Sequence, residues 1–435
     1  MPSFDVLVVG ELNVDIILSG LEGLPALGQE RIAREMLYTL GSSSAIFAHN
    51  LARLGARVAF VGKVGDDSHG RYLVDVLRSG GVDTSGVIVD PSTATGLTVS
   101  LSLPSDRAFV TYPGAMERFT SADIAPSLLK RARHLHVSSY YLQPALRPGL
   151  ALLFQSARNL GLTTSLDPGH DPADRWDGIW DVLPLVDLFL PNEDEALRIA
   201  GCDRLEAAGP RLAERASLVV VKRGTDGAVA WRGAAGAAMA ETTTKTETET
   251  EGEIETEAET GTEADIETET GTGTGTRTWT GAQTGTATAT APATGSEPRH
   301  DEKNAAAISA TRATWASAGP ETRAATGTTN GPCDGRGSEG CVGAGSGSTI
   351  SRGYALDVDT IDSTGAGDSF NAGFIRMWLL GRPLRECLDF ATACGAIACT
   401  YLGGTPGFPD EDGVRRFMEL HRSARRNPPA DSPGC

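Results

Sequence analysis

The sequence IDSTGAGDSFNAGF, at residues 361–374, joins a glycine-rich turn to the start of an apolar segment. Four apolar side chains recur at helical spacing in and just after it: Phe370, Phe374, Met377 and Trp378. We therefore predict a helix that begins near Ala366 and buries this face. The free amides and positive dipole end of such a helix point at the glycine turn, where they favour an anion.

Asp368 lies in the first turn of the predicted helix, where a carboxylate would repel a bound phosphate. Its position makes sense if it accepts the proton of a hydroxyl group that attacks phosphorus. Gly365 and Gly367 allow the backbone to approach an anion closely, although a glycine turn also starts many purely structural helices. No lysine occupies the place that a P-loop would give it. Backbone amides and a metal ion must therefore neutralise most of the phosphate charge.

The chain before this stretch alternates between short apolar strands and helical patterns. The predicted strands are Val6–Val9, Val58–Val61, His134–Val137, Thr163–Leu166, Leu188–Leu190 and Leu218–Val221. The clearest predicted helices are Ser44–Leu54, Gly70–Ser79 and Leu150–Leu160. This alternation predicts an α/β fold with a mostly parallel sheet covered on both faces. Val229–Trp231 and Ala355–Val358 are expected to continue the sheet.

A smaller β-sheet is predicted to cover one edge of the main sheet. Residues 93–115 alternate apolar and polar side chains around a turn at Pro104, Ser105 and Asp106, as a hairpin does. Residues 16–40 have no helical period and can supply companion strands, so the lid is expected from about 13–40 and 93–115. We expect these two stretches to form a lid.

Residues 234–353 are rich in Thr, Glu, Gly, Ala and Ser, and include the repeat TETETEGEIETEAETGTEADIETETGTGTGTRT. Such a segment has too few apolar side chains to offset its ordering entropy, so we predict a disordered insertion. Repeat expansion in a surface loop is one interpretation, and a regulatory or partner-binding segment is the other. The insertion divides one predicted domain into residues 1–233 and 354–435.

The 435-residue chain has a formal net charge of −18, which argues against a nucleic-acid partner. Residues 241–350 alone contain 18 acidic and 7 basic residues, so the remainder carries an ordinary charge. The chain starts without a basic segment, and no apolar stretch is long enough to span a membrane. Seven scattered cysteines lack metal-site spacing and indicate free thiols. We therefore expect a cytoplasmic protein without a membrane partner.

One candidate metal site follows a predicted strand in LFLPNEDEALRIAG, residues 188–201. Asn192 and Glu195 share a face if a helix begins at Pro191. Hard oxygen ligands of this kind suit Mg²⁺, usually through water. A capped helix start with acidic residues in its first turn has the same pattern, so both interpretations stay open.

Three further stretches can bring polar groups to a ligand. In VVVKRGTDGAVAW, residues 219–231, two glycines bracket a tight turn that can approach a ligand or simply join two strands. Asn13 and Asp15 face one way in an extended segment and can pair with adjacent hydroxyl groups of a sugar, or cap a turn. LGSSSAIFAHNLARLG, residues 40–55, can offer backbone and serine hydroxyls to a polyol, or serve only as a flexible helix entry.

Taken together and in this order, these stretches resemble the PfkB family of carbohydrate kinases, the ribokinase-like group. DSTGAGDSFNAGF resembles its C-terminal motif, and PNEDEAL matches its N-x-x-E element. GSSSAIFAHNLARLG, followed by VAFVGKVGDDSHGRYLVDVLRSGGVDTSGV, resembles its N-terminal motif region. The resemblance covers the chain apart from the insertion. It implies a ribokinase-like three-layer α/β/α fold with a small β lid, and ATP-dependent phosphorylation of a hydroxyl group of a sugar or sugar derivative.

The resemblance also implies a role for each matching position. Asp368 would be the catalytic base, with an anion hole formed by Gly365, Ala366 and Gly367. The ATP contacts would be Asn192, Lys222, Gly224, Thr225, Gly227 and Gly367, with Mg²⁺ held through water at Glu195. The sugar contacts would be Asn13, Asp15, Gly41, Ser42, Ser43, Ser44, Ala45 and Asp368. A monovalent cation such as K⁺ would lie near Asp362, Thr364, Ala398 and Gly403, and the lid would pair two copies in a homodimer.

Three departures from the family pattern concern the substrate and the cation. Ile46 replaces an asparagine that contacts ribose, Gly407 replaces a serine near the cation, and Gln143 stands where an acidic residue is expected. A nucleoside is therefore an alternative acceptor, with Phe109 and Tyr112 of the lid as stacking candidates. A catalytically silent sugar or nucleotide sensor is a further alternative, against which the presence of Asp368 argues.

Overall fold

The computed structural model describes residues 2–103, 107–233 and 350–426. The predicted turn at residues 104–106 lies outside this part, as do Cys333, Cys341 and the predicted insertion up to residue 349. The disorder of the insertion therefore stays a prediction.

The strands of the described residues are β1 (Phe4–Val9), β2 (Asn13–Ser19), β3 (Glu35–Leu40), β4 (Val58–Val61), β5 (Lys63–Gly65), β6 (Ile88–Asp90), β7 (Gly96–Ser102), β8 (Arg107–Tyr112), β9 (Ala132–Val137), β10 (Thr163–Leu166), β11 (Leu188–Phe189), β12 (Leu218–Lys222), β13 (Ala228–Arg232) and β14 (Ile350–Gly353). The helices are α1 (Ser43–Arg53), α2 (Ser68–Ser79), α3 (Pro126–Leu129), α4 (Leu150–Asn159), α5 (Glu193–Ala200), α6 (Leu205–Ala213), α7 (Ala366–Leu379), α8 (Leu384–Ala398) and α9 (Glu411–Arg426).

Eight strands form the main sheet in the order β14-β13-β12-β11-β10-β9-β1-β4. The six strands from β12 to β4 run parallel, while β13 and β14 pair antiparallel at the far edge. Parallel strands need crossover connections, and the helices between them supply these crossovers. The predicted mostly parallel α/β fold is therefore confirmed.

The sheet separates two hydrophobic cores, because successive side chains of a strand point to opposite faces. In β1, Leu7 and Val9 pack with α4, α5 and α6 on one face. Val6 and Val8 pack with α1, α2, α7 and α8 on the other face. Each β1 residue from 6 to 9 is fully buried, which explains why this strand reads as a continuous apolar run. The result is the predicted three-layer arrangement.

Two predicted boundaries near the insertion and the metal candidate are wrong. The strand after the insertion is β14, at residues 350–353, and Ala355–Val358 form no strand. β14 pairs with β13 at the sheet edge, where an exposed polar sequence is tolerated, and its short ISRG sequence gave no apolar signal. The second wrong boundary concerns α5, which begins at Glu193 rather than Pro191.

The predicted lid is a separate four-stranded sheet in the order β3-β2-β7-β8. β2 pairs antiparallel with β3 and parallel with β7, and β7 and β8 form the predicted hairpin. Because β2 follows β1 after only three residues, the lid starts at the carboxyl edge of the main sheet. The fold therefore places a polar edge of the main sheet beside a small β-sheet.

Candidate active site

The candidate site lies at the carboxyl ends of the parallel strands, the edge at which open α/β sheets bind ligands. Glu11 follows β1, Gln143 lies in the segment after β9, and Asp167 follows β10. Asn192 follows β11, and Lys222 is the last residue of β12. The topology thus gathers polar side chains that are far apart in the sequence.

The glycine turn and α7 have the geometry that the sequence predicts. The helix begins at Ala366, and Gly365 before it has a left-handed backbone with φ of 74°. A Cβ built on Gly365 would lie 2.6 Å from the Cα of Gly404, so no larger residue fits. The amides of Gly367 and Asp368 have no hydrogen-bond partner among the described residues. They are therefore available to an anion.

Helix α1 is tied to the first turn of α7. The side-chain amide of Asn50 donates to Ser369 Oγ at 2.9 Å and to the carbonyl oxygen of Gly404 at 3.0 Å. Asn50 is fully buried, so this pair of bonds is not exchanged with water. The contact fixes the loop that follows α8 against the glycine turn.

Asp368 is a partly buried carboxyl group among other charges. Burial and the nearby carboxylate of Asp167 raise the pKa of Asp368 to about 7, although Lys222 acts in the opposite direction. A hydrogen bond from Ser43 also favours the ionised form. A carboxyl group with this pKa can accept a proton near neutral pH and release it again.

Lys222, Asp167 and Asn371 form a hydrogen-bonded group beside the glycine turn. Lys222 Nζ lies 2.6 Å from Asp167 Oδ2, and the side-chain amide of Asn371 donates to the same oxygen at 2.5 Å. Burial alone would lower the pKa of Lys222, but the carboxylates of Asp167 and Glu195 outweigh it and raise that pKa. The sequence analysis assigned Lys222 to ATP but did not identify Asp167 or Asn371. Their only sequence signals were the position of Asp167 after a predicted strand and that of Asn371 in the predicted helix after the glycine turn.

Asn192 and Glu195 form a capping box at the start of α5. Glu195 N donates to Asn192 Oδ1, and Asn192 N donates to Glu195 Oε2, each at 2.8 Å. The capped-helix interpretation is therefore correct for their local geometry. Burial and nearby Asp167 raise the pKa of Glu195 to about 7, with Lys222 opposing.

The predicted sugar-side residues lie where the lid meets α1. Asn13 N donates to Ser42 Oγ at 2.8 Å, and Ser42 has a left-handed backbone with φ of 71°. The Asp15 carboxylate lies against Gly41, where a Cβ would collide with it. Burial, followed by the charge of Asp368, raises the pKa of Asp15 to about 7. The structure therefore brings Asp15 into electrostatic contact with the candidate base.

Glu11 and Gln143 complete this side of the pocket. Ser44 donates to the buried Glu11 carboxylate from its backbone at 3.2 Å and from its hydroxyl at 2.6 Å. The Gln143 side-chain amide donates to the carbonyl oxygen of Ser138 at 2.6 Å. Its buried Oε1, like Asn13 Oδ1, has no hydrogen-bond partner among the described residues. Sequence reasoning missed Glu11, which adjoins the predicted pair in GELNVD. Ser43 and Ala45 lie in the first turn of α1, next to this group.

Of the four residues predicted to hold a monovalent cation, Asp362, Thr364 and Gly403 are joined by hydrogen bonds. Asp362 accepts hydrogen bonds from Thr364 N at 3.0 Å and Thr364 Oγ1 at 2.9 Å, and from Gly403 N at 2.9 Å. Ala398 is the last residue of α8, which ends just before this loop. Both carboxylate oxygens of Asp362 thus already accept protein donors.

The turn between β12 and β13 holds the remaining predicted ATP residues. Gly224 and Gly227 both have positive φ, and Arg223 N donates to the carbonyl oxygen of Gly227 at 2.8 Å. Gly224 and Thr225 are exposed at the sheet edge. A Cβ built on Gly227 would collide with the backbone of Gly353, so this glycine is needed for the pairing with β14.

The described residues contain neither a group of three His, Cys, Asp or Glu side chains that could hold a metal ion nor a helix able to cross a membrane. Cys387 and Cys394 are buried in α8 as thiols.

The known proteins to which this chain is similar include several kinases of sugars and sugar derivatives. Fructokinase-1 of Oryza sativa subsp. japonica is 34% identical over 181 residues, which cover 38% of this chain and only 54% of that protein. ATP-dependent ribose-1-phosphate kinase of Halopiger xanaduensis is 24% identical over 95% of this chain and 97% of its own length. The structure of Arabidopsis thaliana ribokinase complexed with ribose and ATP has the same fold, with a TM-score of 0.59 and 18% identity over 96% of this chain and 99% of that one.

A model of the pfkB family carbohydrate kinases matches residues 3–248 and 335–411, and the unmatched residues between them lie within the predicted insertion. This match covers the strand ends, the capped start of α5 and the glycine turn of α7. The chain therefore belongs to the pfkB family of carbohydrate kinases.

Proposed function

We propose that this protein transfers the γ-phosphoryl group of ATP to a hydroxyl group of a sugar or sugar derivative. The observation that carries the proposal is the position of Asp368. Its carboxyl group lies at the uncapped start of α7, where burial raises its pKa to about 7, and it interacts electrostatically with the carboxylate of Asp15 and the ammonium group of Lys222. A base in this position faces both an acceptor and an anion site.

In the proposed reaction, Asp368 accepts the proton of the sugar hydroxyl as its oxygen attacks the γ-phosphorus. The bond between that phosphorus and the bridging oxygen breaks, and ADP leaves with the electron pair. The amides of Gly365, Gly367 and Asp368 stabilise the phosphoryl oxygens during transfer, whereas the predicted contribution of Ala366 is limited because its amide already donates to the carbonyl oxygen of Ser363 at 3.3 Å. Closure of the lid would exclude water, which otherwise competes with the sugar for ATP.

ATP is proposed to lie along the edge from Asn192 to the β12–β13 turn, with contacts to Lys222, Gly224, Thr225 and Gly227. Magnesium supplies counter-charge for the phosphates when it is bound. Glu195 fits a role through water, because its carboxylate is buried in the capping box and the described residues offer no cluster for direct ligation. K⁺ would take the loop at Asp362, Thr364, Ala398 and Gly403.

The sugar is proposed to lie between the lid and the main sheet. The unpartnered oxygens of Asn13 and Gln143 and the carboxylate of Asp15 would pair with its hydroxyl groups. A polar pocket of this composition favours a sugar over a nucleoside base, which needs a stacking surface. Phe109 and Tyr112 are more than half exposed on β8 and contribute no such enclosed surface.

A substrate panel tests this proposal. ADP release from Mg·ATP is measured with hexoses, pentoses, sugar acids, ribose 1-phosphate and nucleosides, with and without K⁺. We expect sugar-dependent ADP release well above the rate without an acceptor. If nucleosides but no sugar raise ADP release, a nucleoside replaces the sugar as the proposed acceptor. If no compound in the panel raises ADP release, a catalytically silent sensor is favoured.

We also propose that the lid pairs two copies of this cytoplasmic enzyme. β8 ends the lid sheet, and Phe109, Val110 and Tyr112 on it are 52%, 65% and 55% exposed. An unpaired edge strand with exposed apolar side chains is a surface that proteins usually cover. Light scattering should give a dimer mass for the wild type and a monomer mass for Val110→Lys, whereas a monomeric wild type contradicts the proposal.

The insertion is proposed to be dispensable for catalysis. Deletion of residues 236–347 keeps β14 and its pairing with β13 intact. We expect turnover within about threefold of the full chain, since long surface insertions add little closure entropy. Loss of activity or solubility on deletion would contradict this expectation.

A further inference from the structure

The side chain of Lys222, at the end of β12, reaches the glycine turn before α7. The three nearest heavy atoms to a Cβ built on Gly367, apart from its chain neighbours and its own helix backbone, all belong to Lys222: Nζ at 3.6 Å, Cδ at 3.8 Å and Cε at 3.9 Å. The lysine side chain therefore lies over the turn whose amides are free. The sequence shows no P-loop lysine, but the fold brings the ammonium group of Lys222 to the glycine turn.

The ammonium group is held by a carboxylate that is itself fixed on two sides. Asp167 Oδ2 accepts from Lys222 and from the side-chain amide of Asn371. Asp167 Oδ1 accepts from Gly169 N at 3.0 Å. Both side chains of the ion pair are nearly buried, with 12% of Lys222 and 7% of Asp167 exposed. Asp167 thus has little freedom to turn away from the lysine.

This arrangement leaves donor capacity on the ammonium group. One Lys222 proton is used by Asp167, and no other hydrogen bond of Nζ is formed within the described residues. A lysine ammonium has three donors, so two remain. A buried ion pair is a poor way to gain stability, because desolvation offsets most of the attraction. Its position over the free amides of α7 points instead to a ligand with negative oxygens.

We propose that Lys222, aimed by Asp167 and Asn371, donates to the oxygens of the phosphoryl group in transit between nucleotide and sugar. Lys222 is then a catalytic residue, while Asp167 and Asn371 are positioning residues. The inference rests on the proposed function and adds to it the source of positive charge at the transferring group. The lysine acts as the lysine of a P-loop does, although it comes from the end of a strand rather than from the loop.

The test measures steady-state turnover, KM for both substrates, and melting temperature for four variants. Lys222→Met should lower kcat by about 100-fold or more, as loss of one transition-state donor does, with KM for the sugar within threefold. The kcat of Lys222→Arg should be at least tenfold higher than that of Lys222→Met, because arginine keeps the positive charge. Asp167→Asn should lower kcat about tenfold, since it keeps the shape of the side chain but loosens the lysine.

The matched control is Asp123→Asn. Asp123 pairs with Lys63 at 3.0 Å, and that lysine side chain is also only 10% exposed, but the pair lies outside the proposed site. We expect its kcat to stay within twofold of the wild type. A kcat loss in this control as large as that of Asp167→Asn would show a general effect of removing a buried ion pair and would overturn the inference.

Two outcomes separate this inference from the proposed function. If Lys222→Met retains kcat within threefold while Asp368→Asn is inactive, the lysine role is wrong and the kinase proposal stands. If Asp368→Asn retains wild-type turnover, the proposed base is wrong whatever Lys222 does. Should Lys222→Met fail to fold, Lys222→Gln replaces it, and wild-type kcat in that variant and in Asp167→Asn overturns the inference.

Discussion

Helices α5 and α7 both begin at the carboxyl edge of the main sheet, but of these two only α5 has a side-chain cap among the described residues. At α5, Asn192 and Glu195 cap each other with two hydrogen bonds of 2.8 Å. At α7, Gly365 occupies the N-cap position and no described side chain caps the helix. The amides of Gly367 and Asp368 have no hydrogen-bond partner among the described residues. The capping box satisfies two backbone amides at the start of α5, whereas the start of α7 has no such cap and is suited to bind an anion.

The difference also explains the acidic residues of the two helices. Glu195 in α5 is part of the cap, so its carboxylate has a structural purpose that the sequence pattern allows. Asp368 in α7 has no such purpose, and burial raises its pKa to about 7. A carboxyl group that contributes no cap and is held near its titration point is therefore expected to serve chemistry.

A large effect on the comparison should come from Gly365, the glycine that precedes α7. Gly365→Ala forces a left-handed alanine against the backbone of Gly404, and we expect kcat to fall about 100-fold. Gly201 is the matched control, since it is left-handed with φ of 60° and a Cβ there meets no described atom within 4 Å. Gly201→Ala should cost about 1 kcal/mol of unfolding free energy and leave kcat unchanged. Equal kcat values for the two variants would contradict the distinction between the helices.

The next effect concerns pH. Burial raises the pKa of Asp368 to about 7, so the carboxyl group is protonated below that pH and cannot accept a proton. We expect kcat/KM to fall about tenfold per pH unit below pH 7 in the free enzyme. Burial raises the pKa values of Asp15 and Glu195 to about 7 as well, so Asp15→Asn and Glu195→Gln serve as controls. If kcat/KM no longer falls below pH 7 in either control, or does not fall in the wild type, the pH dependence cannot be assigned to protonation of Asp368.

The smallest effect should come from the cap of α5. Asn192→Ala removes the bond to Glu195 N, and we expect a loss of about 1 kcal/mol in unfolding free energy. If Asn192 also contacts ATP, KM for ATP rises while KM for the sugar stays constant. Asn192→Asp keeps the cap and loses the amide, so it separates the two roles. An unchanged KM for ATP in both variants would leave Asn192 with the cap alone.

Local patterns were sufficient for much of the fold. Val58–Val61 and Thr163–Leu166 are predicted with the observed bounds, because short buried strands have continuous apolar sequences. The start of α7 at Ala366 is predicted because glycine, acidic residue and helical spacing agree there. The bounds of β14 could not be predicted, since an edge strand tolerates a polar sequence after a low-complexity stretch.

Contacts between distant residues could not be predicted from patterns. Asp167 is 55 residues from Lys222 and 204 residues from Asn371, and nothing in the sequence near any of them indicates the others. The order of strands brings them together, and that order is a property of the whole sheet. The expectation that amides and a metal ion neutralise most of the phosphate charge was therefore made without knowledge of the lysine beside the glycine turn.

The central claim is that Asp368 is the base at the ligand-binding start of α7. The most direct measurement is acceptor-dependent ADP release by Asp368→Asn, together with its dissociation constant for ATP. The account predicts a fall in kcat of about 1,000-fold or more, with ATP affinity within threefold of the wild type. Acceptor-dependent ADP release at the wild-type rate would contradict it.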